Sequence, residues 1–92
     1  MTDDVRERLD VRPVAPSQRY DRIIGVYESL ETGQAMELVV DHDPTCMYYT
    51  LEATRGRDAF AFDYLDRGPR VWRVRVRKLR DVETRDPFGV AD

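Results

Sequence analysis

Ninety-two residues leave room for one domain, and a chain of roughly that size buries about two-thirds of its unfolded surface, enough for one modest core. Hydrophobic residues at 41% and charged residues at 36% describe a folded body with a heavily charged exterior, not a disordered chain. The formal net charge of −3 supplies no global positive field for nucleic acid or anionic lipid.

Of the fifteen basic residues only Lys78 is a lysine. The single cysteine, Cys46, excludes an intramolecular disulfide and fits a reducing compartment. The first ten residues are acidic and lack the apolar stretch of a signal peptide. No apolar run approaches the ~18 residues of a membrane span. A cytoplasmic protein with no membrane partner is therefore expected.

Residues 1–7 are polar and read as a flexible N-terminus. At 8–12, Leu9 and Val11 alternate with Asp10 and Arg12, the pattern of a short strand. Pro13 and Pro16 bar a helix until Ser17, a suitable N-cap. Tyr20, Ile23, Ile24, Tyr27 and Leu30 then recur at helical spacing, predicting a helix over about 18–31 that Thr32-Gly33 ends.

At 35–41, Met36, Leu38 and Val40 alternate with Glu37, Val39 and Asp41, giving a second strand. Asp43 can cap a second helix with Pro44 in its first position. Met47, Tyr48 and Leu51 give its buried stripe over about 44–55, and Gly56 stops it. Phe60, Phe62 and Tyr64 at period two, a turn at 66–69, and Trp72, Val74 and Val76 opposite Arg73, Arg75 and Arg77 form a hairpin. Residues 80–92 read as a loose tail, with Phe88 the residue suited to pin it to the body.

The expected order is β-α-β-α-β-β within residues 8–79. The fold class is α/β, an α+β two-layer sandwich: a four-stranded mixed sheet with two helices on one face. Its first two strands are parallel, its last two antiparallel. The other face would carry Asp10, Arg12, Glu37, Asp41, Asp63, Arg73, Arg75 and Arg77, acids facing bases across strands.

Leu9 to Arg12, the proline loop 13–16, Arg19 with Ile23, Asp41 to Pro44, Tyr48-Tyr49, and Gly68 to Arg75 together make a recognisable pattern. It resembles TusA/SirA-like proteins, and more closely an uncharacterised branch, domain-of-unknown-function family twenty-two forty-nine. Sulfur carriers of that superfamily place a cysteine just before the first helix. Here residues 13–17 hold no thiol, so persulfide transfer by that route is not expected. The resemblance implies a redox, metal or nitrogen-oxide setting, with a redox or hemerythrin-like protein as partner.

Ligands of parallel α/β units gather beyond the carboxyl ends of the strands, where helix amino ends also point. That places the candidate binding cluster at Arg12, Asp41, His42 and Asp43. His42 and Asp41 are candidate ligands for a metal ion. Each residue also has a plainer role: His42 orienting the loop, Asp43 capping the helix, Asp41 pairing with Arg12. Cys46 near the amino end of the second helix is either a reactive thiol or a half-buried small residue.

Three functions compete. The favoured one is a non-catalytic accessory or binding module. The others are a thiol-dependent carrier or enzyme using Cys46, and nucleic-acid binding by the Arg73, Arg75, Arg77 row, which the facing acids and the absence of interleaved aromatics disfavour. No P-loop, GxGxxG, CxxC or serine-histidine-aspartate set marks an enzyme.

Overall fold

Two periodicities build the domain. Period-two alternation makes the strands β1 (Val5–Asp10), β2 (Ala35–Val40), β3 (Phe60–Arg67) and β4 (Trp72–Lys78). Helical spacing makes α1 (Pro16–Ser29) and α2 (Thr45–Arg55), and a 3-10 turn at Arg57–Ala59 leads into β3. The structure is a computed structural model and describes residues 5–80. The tail residue Phe88 falls outside that range.

The sheet order is β1-β2-β4-β3. β1 runs parallel to β2, while β4 is antiparallel to both β2 and β3. The expected mixed sheet with its two-layer arrangement is thus the fold. β1 starts three residues before the expected strand and stops at Asp10. The reason is pairing: Val5 finds Ala35 and Glu7 finds Met36 across a bulge, so the polar residues 5–7 continue the ladder.

The helix-facing side of the sheet carries Leu9, Met36, Leu38, Val40, Val74 and Val76, against which Ile23, Tyr27, Met47 and Leu51 pack. Phe60, Phe62, Tyr64 and Trp72 extend this core as edge-to-face rings with centroids 5.8 to 6.3 Å apart. Tyr20 was expected in the stripe of α1 and is 44% exposed. That helix buries only Ile23 and Tyr27, a narrow seam that leaves Tyr20 outside it.

Both helix starts differ slightly from expectation. α1 begins at Pro16 itself, with Ala15 as N-cap and no capping by Ser17. Proline has no amide to satisfy, so the first helical position costs it nothing. Likewise Pro44 takes the N-cap position of α2, and Asp43 works from just outside. α1 ends at Ser29 because Leu30 turns to extended backbone and buries its side chain.

On the open face Glu37 sits between Arg8 at 3.3 Å and Arg73 at 2.9 Å, Arg73 reaches Asp66 at 4.0 Å, and Arg75 reaches Asp63 at 3.7 Å. Arg77 donates to the Gly33 carbonyl at 2.8 Å. Such pairs contribute a few tenths of a kcal/mol each, roughly. Arg12 and Asp41, expected on this face, lie beyond the strand ends.

Candidate functional site

The carboxyl ends of β1 and β2 are neighbours, so the loops that leave them, residues 11–15 and 41–44, lie side by side. The residue that joins them is Arg19, one turn into α1. Its Nε donates to the Val14 carbonyl at 2.8 Å and its Nη2 to the Arg12 carbonyl at 3.1 Å. Nη1 and Nη2 then grip the two Asp41 carboxylate oxygens at 3.1 and 3.4 Å. The side chain is only 14% exposed. Arg19 first, and His42 second, hold the Asp41 carboxyl at a pKa of about 2.

Asp41 therefore pairs with Arg19, not with Arg12. Arg12 folds back on its own strand, where Nε and Nη2 meet the Asp10 carboxylate at 2.9 and 2.6 Å. Two residues' separation makes that fork easy to close, whereas reaching Asp41 would mean crossing the loop. The pairing lowers Asp10 to about 2.

His42 is 67% exposed, and its Nδ1 lies 2.9 Å from Asp41 Oδ1. Asp43 points the other way. Its Oδ1 accepts from the Thr45 amide at 3.1 Å, the Thr45 hydroxyl at 2.6 Å and the Tyr64 hydroxyl at 2.8 Å. These bonds, Thr45 foremost, lower its pKa. Tyr64 shifts upward, chiefly through burial, and carries the Arg67 guanidinium 4.4 Å from its ring centroid. The second loop is thus held at both ends, by Arg19 on Asp41 and by Tyr64 on Asp43.

Between the amino ends of the helices this arrangement leaves a groove of about 200 Å³. The buried Val11, Ile23, Leu38, Val40, Pro44 and Met47 line its inside, and the more exposed Pro16, Arg19, His42 and Cys46 its mouth. Residues 8–78, most of the chain, match a family described as "Uncharacterized conserved protein (DUF2249)".

The chain belongs to the DUF2249 family.

The wider kinship with TusA/SirA-like proteins is not part of that match. No curated protein and no solved structure matches the chain.

In this DUF2249 domain, the four residues singled out from sequence share one end of the sheet but do not converge on one point. Asp41 and His42 touch, Asp43 serves the start of α2, and Arg12 serves β1. Among the described residues no group of three or more histidine, cysteine or acidic side chains is placed to hold a metal ion. Cys46, the second residue of α2, is exposed on the groove's mouth.

Arg19 and Tyr64 escaped sequence reasoning as site residues. For Arg19 the one signal was its place in the first turn of α1, which it shares with Ser17 and Gln18, and its contact with Asp41 spans 22 residues. For Tyr64 there was none, since its hydroxyl contact spans 21 residues.

Proposed function

We propose that this DUF2249 domain is a binding module whose groove receives one apolar side chain of a partner protein, with His42 at the rim. The groove between α1 and α2 carries the reading. Its volume, about 200 Å³, lies below the roughly 300–1,000 Å³ of sites that take cofactors and drug-sized ligands. One large side chain fills it. The loops around it are already held by Arg19 and Tyr64, so binding there orders little and retains most of the contact energy. His42 Nε2 makes no hydrogen bond among the described residues and is available to an incoming polar group.

The resemblance to domains that accompany hemerythrin-like proteins makes a redox or metal-handling partner the first to examine. Titration of labelled protein with the amides of leucine, methionine and phenylalanine tests the groove. Saturable methyl and amide shifts at Ile23, Leu38, Val40 and Met47 are expected. Shifts that never saturate, or that cluster elsewhere, would sink the reading. The same titration with ferrous iron and zinc tests whether Asp41 and His42 hold a metal ion.

A second reading rests on Cys46, whose exposed thiol lies on the same groove. A thiol-dependent carrier would be alkylated many times faster than a free model thiol at the same pH. An equal rate would remove this reading and leave the first untouched.

A further inference from the structure

In a chain with 36% charged residues, one exposed face carries no charge. The exposed residues of α2 are Cys46, Tyr49, Ala53 and Thr54, whereas α1 exposes Asp21, Arg22 and Glu28. The charged residues of α2 are engaged elsewhere: Glu52 holds Arg57 at 3.0 Å, and Arg55 meets Glu28. Cys46, Tyr49, half-buried Thr50 and Ala53 follow the spacing of a single helical face.

This face asks for no polar partner. Thr50 and Thr54 donate their hydroxyls to the helix's own Cys46 and Thr50 carbonyls, at 3.0 and 2.7 Å. Tyr49 is 60% exposed, more than any other large hydrophobic side chain among the described residues. Its ring rests edge-on against Tyr48 with centroids 5.4 Å apart, so little order remains to be imposed on it. A neutral, aromatic, self-satisfied surface has the character of the centre of an interface. Cys46 belongs both to this face and to the mouth of the groove. A projecting ring and a receiving groove on one surface meet the condition for a closed two-fold pair.

We propose that the side chain the groove receives is Tyr49 of a second copy of this chain, in a two-fold dimer whose α2 helices pack antiparallel. The inference rests on the groove reading above and names its partner. The ring lies along the apolar groove with its hydroxyl at His42 Nε2. The charges at the two ends of α2 suit a second copy. Asp43 precedes the helix with Oδ2 unbonded among the described residues, and Arg57 follows it, 79% exposed. Antiparallel contact turns the Asp43 end of each helix towards the Arg57 end of the other and opposes the two helix dipoles. The 11 residues of α2 span only roughly 16 Å. A contact of that length falls below the roughly 1,200 Å² of stable interfaces, so the dimer is weak and exchanges with monomer.

Sedimentation equilibrium and NMR of the full chain from about 1 μM to about 1 mM test this. A mixture of labelled and unlabelled chains should show contacts from the Tyr49 ring of one copy to Ile23, Leu38 or Met47 of the other. Tyr49→Ala should abolish association, as should Ala53→Arg, and both alter exposed side chains on a folded helix. Tyr49→Phe should weaken association about two- to tenfold, the range of one hydrogen bond, and Arg57→Ala up to about fivefold. Leucine amide should compete and release monomer. A chain still monomeric at about 1 mM overturns the proposal. So does a dimer that Tyr49→Ala leaves unchanged, or one without the contacts between copies. If leucine amide nevertheless saturates the groove, the groove reading stands and a different protein supplies the side chain. If it does not, both readings fall.

Discussion

Arg19 and Arg55 invite comparison, one at each end of the sheet. Both are largely buried, at 14% and 8% exposure. Arg19 makes four hydrogen bonds to three residues of two loops. Among the described residues Arg55 makes one, to Glu28. The first is a strut, because its donors are committed to the backbone carbonyls and carboxylate that shape the groove. The second is tied to a single carboxylate and lies near the Tyr27 ring. Similar burial thus goes with very different numbers of hydrogen bonds.

The comparison breaks most decisively at Lys78, the structural cation of the Arg55 end. Lys78→Met should cost about 3 kcal/mol in urea unfolding, because the Leu30 and Glu28 carbonyls at the end of α1 lose their donor. A loss under 1 kcal/mol would mean that the ammonium is not what closes that helix.

At the other end, Arg19→Ala should cost about 2 kcal/mol. It should also let the Asp41 pKa climb from about 2 towards its ordinary value, followed by carboxyl-carbon NMR. Arg19→Lys should recover only part of both, since an ammonium cannot reproduce the fork. An unmoved Asp41 titration would show that His42, not Arg19, sets its charge.

Tyr64→Phe sharpens the picture of the second loop. Removing the bond to Asp43 should cost about 1 kcal/mol while leaving the aromatic core in place. Faster amide exchange at Thr45 and Cys46 is the accompanying sign of a loosened helix start, and its absence would make the bond incidental.

The smallest effect is on pH dependence. Asp10 and Asp41 are held at about 2, below the ordinary 3.8, by Arg12 and Arg19 respectively. The folded state thus favours their ionised forms. Their contribution is complete above pH 3.8 and is lost as pH falls towards 2. Both carboxylates meet solvent, so the melting temperature should fall only modestly over that window. Asp41→Asn should remove part of the slope and leave stability above pH 5 changed mainly by the lost Arg19 pairing.

Much of this architecture was legible in the residues. The alternations at Met36, Leu38, Val40 and at Trp72, Val74, Val76 identified strands and their buried side, because a pleated strand can face only two ways. Gly56, with φ at 96°, ended α2 where expected. Residues 5–7 were illegible as strand, since their only apolar member is Val5 and their order comes from β2 alongside. Tyr20 looked like core because spacing reports a helical face and not how wide a face the sheet can cover.

The sequence by itself determined the element order, the mixed α+β class, the family, and the end of the sheet where loops and helix starts meet. These follow from local periodicity, turn chemistry and motif spacing. Tertiary structure decided which charge meets which. Asp41 went to Arg19 instead of Arg12, Asp43 to Tyr64, and Arg55 to Glu28 and the Tyr27 ring. The physical reason is reach. A charged side chain selects its partner by distances of a few ångströms between segments twenty or more residues apart, and only packing sets those distances.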